Sequence, residues 1–147
     1  MNFFDQLLDN TEAKTVLWKK EASVSINEEI DFSRDNIAKK LAWIENNKDN
    51  IILFALEAED FLANFNDFVS KELVKKGKCR LPDGMILMET IDAETLEESI
   101  FINSVHFYDE ETFEINLVTS PDYFGMHTLS IEVSGDEYEM EFAGMNG

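Results

Sequence analysis

Two histidines, His106 and His127, one cysteine, Cys79, and a large surplus of carboxylates are the side chains with the most chemical potential in this 147-residue chain. A histidine beside a hydroxyl or carboxylate can act as a general base, and two histidines with carboxylates can hold a transition metal. The local patterns that usually carry such chemistry are missing. Neither histidine sits in a G-x-S-x-G or H-E-x-x-H motif, and there is no C-x-x-C. His127 falls in phase with Leu129, Ile131 and Val133, so a core histidine hydrogen-bonded to a neighbour is expected. His106 lies on an earlier strand, from which the two rings could approach each other across a sheet. A small hydrolase or metal-dependent enzyme using His106, His127 and nearby carboxylates is therefore one reading, and it requires a cleft that both imidazoles reach. Cys79 follows Lys75, Lys76 and Lys78 and precedes Arg80, a setting that lowers a thiol pKa. With no base assigned to it, a free cysteine is the expectation. One cysteine excludes an internal disulfide and fits a reducing compartment.

The carboxylates say more through their distribution than through any pair. The net charge is -19. Residues 1–80 set 15 acids against all 12 bases, whereas residues 81–147 hold 16 acids and no base. Such a field repels nucleic acid and anionic membrane and attracts cationic proteins or metal ions. Its plainest role is solubility. Glu137, Glu139 and Glu141 alternate along one stretch, as on a solvated strand face. No Asp-x-Asp-x-Asp-Gly loop and no Gly-rich phosphate loop is present. No cofactor and no metal is expected. The longest apolar run is too short to span a bilayer, and the N-terminus lacks the pattern of a secretory signal, so a soluble cytoplasmic protein is expected.

The elements that must position these residues read as one α+β domain over 1–147. Asn2–Asp9 forms a short helix or a hydrophobic arm. Thr15–Ile26 is extended, with a bend or hairpin near Lys19-Lys20-Glu21. Ser33 caps an amphipathic helix over 34–46. A second, longer helix, capped by Asp49 or Asn50, runs to about Lys76 and stops at Gly77. Trp18 is expected in the core and Trp43 at its boundary. Met85–Ile91 is a buried strand or an irregular core segment, and Asp92 opens a short helical turn to Glu98. Four strands follow, over 100–108, 112–119, 126–133 and 137–143, joined by hairpin-sized turns. The expected architecture is two amphipathic helices packed on one face of a C-terminal antiparallel β-meander, with an N-terminal strand or hairpin. Phe113, Ile115, Leu117, His127, Leu129, Ile131, Tyr138, Met140 and Phe142 should face the helices. Glu114, Glu132, Glu137, Glu139 and Glu141 should face out.

Tyr123-Phe124-Gly125-Met126-His127, followed by Leu129, Ile131, Val133 and Phe142-Ala143-Gly144, resembles the C-terminus of a bacterial domain-of-unknown-function family with a Phe-Trp-Gly-His-like strand signature. That resemblance implies two helices before a meander and transfers no catalytic residue. In size, acidity and compartment the chain is also similar to the immunity proteins of bacterial toxin–immunity pairs. The expectation is a non-enzymatic acidic protein that neutralises or escorts a basic protein partner, such as a toxin domain. It would use Glu114, Glu132, Asp136, Glu137, Glu139 and Glu141, and would bind neither nucleic acid nor membrane. A nucleic-acid mimic, with carboxylates spaced like phosphates, is a third reading.

Overall fold

Alternating apolar and polar residues produce six strands long enough to form one sheet. The computed structural model describes residues 2–146. A first helix, α1 (Phe3–Asn10), leads into β1 (Glu12–Leu17) and β2 (Lys20–Ile26). Then come α2 (Arg34–Asn46), α3 (Lys48–Ala58) and α4 (Phe61–Lys76). Two short strands, β3 (Cys79–Arg80) and β4 (Ile86–Leu87), form a small sheet of their own, and α5 (Ala93–Ser99) follows. The chain ends in β5 (Ile100–Phe107), β6 (Thr112–Thr119), β7 (Thr128–Ser134) and β8 (Glu139–Asn146). The main sheet has the order β1-β2-β5-β6-β7-β8. All neighbours are antiparallel except β2 and β5, which run parallel from Ser23↔Ser104 to Ile26↔Phe107. The chain is thus α+β with a mixed sheet, not a purely antiparallel one. Parallel neighbours need a long crossover, and α2 to α5 supply it.

The core lies on the face toward that crossover. Val24, Val105, Phe107, Phe113, Ile115, Leu117, Ile131 and Val133 line the sheet there, and Ile37, Leu41, Ile44, Ile51, Ile52 and Val69 come from the helices. Ser33 caps α2 as expected, its hydroxyl accepting the Asn36 N–H at 3.3 Å. The Ser33 N–H is in turn held by the Glu110 carboxylate at 2.8 Å, which ties the helix start to the β5–β6 turn. Among the described residues, no helix is long and apolar enough to cross a membrane.

Several expectations need correction. The single long helix after residue 49 is two helices, broken where Asp60 takes a positive φ of 49°. A bend lets one apolar stripe serve two surfaces, with α3 touching β7 and β8 while α4 covers β3. The cap of α3 is at Asn47, ahead of Asp49 and Asn50 by less than one turn, and without a side-chain hydrogen bond. The N-terminal hairpin is present where expected, its turn at Trp18-Lys19, both at positive φ, as the two-residue turns favoured by strand twist demand. These are not the small residues that usually accept such angles. Trp18 is held there by tertiary contacts: its N–H meets the Glu45 carboxylate at 3.1 Å, and its indole N–H meets the Ile44 carbonyl at 3.0 Å. Residues 85–91 contain only the two-residue β4, with Met85, Ile86 and Met88 exposed. The β6–β7 connection is no tight hairpin either. It drives Tyr123 and Phe124 into the core, against Phe65 and Phe61 at centroid distances of 5.5 and 4.8 Å.

Candidate functional site: the open face of the sheet

Side chains that alternate with the core residues point to the opposite face of the sheet. Strand register arranges them in transverse rows. In one row Glu12 lies opposite Ser25, Ser25 opposite His106, His106 opposite Glu114, Glu114 opposite Glu132, and Glu132 opposite Glu141. The next row is uncharged over its central strands: Ser23, Ser104, Asn116, Ser130 and Gly144. Neighbouring strands lie about 4.8 Å apart, so three glutamates of β6, β7 and β8 stand side by side over about 10 Å.

The uncharged row is a hydrogen-bonded chain. Ser130 is buried, its hydroxyl donating to Asn116 Oδ1 at 2.6 Å and accepting from the Asn146 amide at 2.9 Å. The Asn116 amide donates to the Ser104 hydroxyl at 3.0 Å and to Glu114 Oε2 at 3.3 Å. Through the Asn116 amide this network reaches the Glu114 carboxylate beside it. Tyr108, 40% exposed, flanks it from the strand end. Burial, then the Glu114 charge and a hydrogen bond to it, then the Glu132 charge, push the Tyr108 pKa up.

Cations are confined to one end of this face. Lys14 pairs with Glu21 at 3.6 Å, and the Lys20 ammonium lies 4.1 Å over the Phe101 ring. The other ion pairs among the described residues are Arg34–Asp5, Lys71–Asp67 and Lys76–Glu72. None involves a residue beyond Lys76, so Glu114, Glu132 and Glu141 have no cationic partner there.

The six acids anticipated from sequence do not form one cluster. Glu114, Glu132 and Glu141 share a row. Glu139 is outward on β8, opposite Ser134. Asp136 and Glu137 are exposed in the β7–β8 turn rather than on a strand. Tyr138 in that turn adopts a φ of 53° and stacks its ring on Trp43, centroids 4.5 Å apart. Trp43 is half-buried, a boundary residue as expected, and Trp18 is buried.

The histidines are not placed as anticipated. His127 is exposed, not in the core: β7 begins only at Thr128, and Met126 at a φ of 69° rotates the chain just before it. His106 sits in the glutamate row, level with Glu132, whereas His127 lies outside the strand pairing, before the start of β7, so the two rings do not share a row. The residue that sequence reasoning missed is Ser25, whose hydroxyl lies 2.6 Å from His106 Nδ1. The ring also meets Tyr108 edge-on at 4.8 Å. No carboxylate among the described residues lies within ion-pair distance of either imidazole, and no group of three metal-binding side chains assembles among them. The Ser25–His106 pair is a cross-strand hydrogen bond on an open surface.

Cys79 is a free cysteine as expected, but its basic sequence neighbours do not lower its pKa. It is fully buried, and burial pushes its thiol pKa up, with Glu72 adding to the rise and Lys76 opposing it. Its basic sequence neighbours, Lys78 and Arg80, point to solvent while the thiol points inward. No protein-family model, no curated protein and no solved structure shows a match to this chain.

Proposed function

We propose that the protein is a non-enzymatic binding protein that neutralises a cationic protein partner, in the manner of an immunity protein, through the acidic half of its open sheet face. The observation carrying this reading is the row Glu114, Glu132, Glu141. Like charges directly opposite on neighbouring strands are destabilising, and a sequence that keeps three of them together without a counter-cation breaks a local rule. Such breaks concentrate where function requires them. The hydrogen-bonded row beside them holds Glu114 in place, so less ordering remains to be done when a partner binds. The one-sided charge adds long-range steering of a basic partner.

The test begins with capture of a stoichiometric basic protein from the native host on immobilised protein. Its affinity is then measured by calorimetry at about 50 mM and about 300 mM salt, for the native chain and for the E114Q/E132Q/E141Q variant. The expected result is a steep loss of affinity with salt that the triple variant largely abolishes. Equal affinities for both chains at both salt concentrations would defeat the proposal. Capture of a nucleic-acid-binding protein in competition with its DNA or RNA would move the reading to mimicry.

A further inference from the structure

The strand at one margin of the acidic face is an open edge with a groove beside it. Among the described residues β8 pairs only with β7, and none continues the sheet beyond it. An unpaired strand edge is a template for another chain, and proteins commonly blunt it with charged side chains, proline, a bulge or a covering element. The opposite edge, β1, carries Lys14 and packs against α1. β8 contains neither lysine nor proline. Its charges, Glu139 and Glu141, are negative and so exclude like-charged guests rather than basic ones, and its bulge lies at the far end, at Ala143. Its regular stretch is Glu139–Phe142, since Ala143 is skipped between the pairs Phe142↔Ile131 and Gly144↔Ser130.

Along that stretch two chemistries alternate. Glu139 and Glu141 are exposed on the open face, while Met140 and Phe142 turn half-buried toward the helices. Between β8 and α4 runs a groove of about 490 Å³, lined mainly by Phe61, Phe65, Phe68, Phe142 and Met145. Phe68 is 50% and Met145 43% exposed, an unusual outlay of apolar surface beside an unpaired edge.

The geometry points to β8 as a docking edge for an extended segment of the partner, one that alternates basic with apolar residues. This rests on the reading of the open face as a site for a cationic protein and specifies how that protein is held. Backbone groups of the guest would complete the β8 ladder. Its lysines or arginines would stand opposite Glu139 and Glu141, and its apolar side chains would turn into the groove. A second copy of this chain fits poorly as occupant. Antiparallel pairing of two β8 strands would bring glutamate against glutamate, which cross-strand energetics disfavours.

The test uses three capped peptides of roughly eight residues: lysine alternating with valine and phenylalanine, a block isomer of the same composition, and lysine alone. Each is titrated into the isotopically labelled protein by NMR, with amide exchange followed at Glu139–Phe142. The alternating peptide should bind about tenfold or more tightly than its block isomer and should slow exchange along β8. Phe68→Ala, at a half-exposed position, should weaken the alternating peptide several-fold and leave the lysine peptide unchanged. Equal binding of the two isomers, or no protection of β8 amides, overturns the inference. If the lysine peptide then still shifts Glu114 and Glu132 in a salt-dependent way, the acidic-face reading survives alone. Concentration-dependent dimerisation with β8 protected in the free protein would also overturn it.

Discussion

Both faces of the six-stranded sheet are built by the same strands, yet they follow opposite rules. On the covered face, Phe113 touches Phe107, Trp43 and Tyr138, and hardly a polar atom intervenes. On the open face every second residue of β6 and β7 is polar or charged except Val118, and the contacts are hydrogen bonds between short side chains. The covered face gains stability from area removed from water. The open face spends some of it, because three aligned glutamates repel one another. Stability and binding are therefore assigned to opposite sides of one layer, and substitutions should separate them.

The sharpest separation is expected at the centre of the covered face. Phe113→Ala removes a fully buried ring from an aromatic cluster and should cost about 3–5 kcal/mol, read as a fall in the urea midpoint with little change in slope. On the open face the largest cost belongs to an uncharged residue. Ser130→Ala leaves Asn116 and Asn146 without their shared partner and should cost about 1–2 kcal/mol in the same unfolding assay. Glu132→Gln should do the reverse and raise stability by a few tenths of a kcal/mol, roughly the size of a cross-strand charge term, because it relieves repulsion from both neighbours. A loss of stability at Glu132 as large as that at Phe113 would erase the distinction between the faces.

The smallest effect is alkaline. The folded-state pKa of Tyr108 is raised above its unfolded value, so the fold favours the protonated phenol. That contribution is complete below the unfolded pKa, near 10, and is lost as pH rises through the folded value. Glu114→Gln should lower the Tyr108 pKa, seen in the ultraviolet titration of tyrosinate, and an unchanged titration would remove Glu114 from its surroundings.

Alternation made the inward and outward sets of β6 and β7 legible, because a period of two depends only on neighbours in sequence. His127 shows where that reasoning stops. The phase continues backward from Leu129 on paper, but the strand does not, and two consecutive left-handed residues, Gly125 and Met126, precede the exposed imidazole. The Ser25–His106 contact joins residues 81 apart in sequence. It depends on β2 entering the sheet parallel to β5, which no local pattern encodes. The break at Asp60 was hidden for another reason: no glycine or proline marks it, and the apolar stripe runs on through it. At Cys79, adjacency in sequence suggests cations around the thiol, whereas strand geometry sends the thiol and their side chains in different directions. The acidic row was half visible. Its members could be phased outward, but that Glu114, Glu132 and Glu141 align, while Asp136 and Glu137 do not, is a matter of register.

The central claim is that the open face serves binding at some expense of stability, and one paired measurement tests it. Stopped-flow association with the basic partner and urea unfolding would be run on the native chain and on E114Q/E132Q/E141Q. The account predicts that the triple variant unfolds at an equal or higher urea concentration while its association rate at low salt falls about tenfold or more. A variant that binds as fast as the native chain, or that unfolds far more easily, would contradict it.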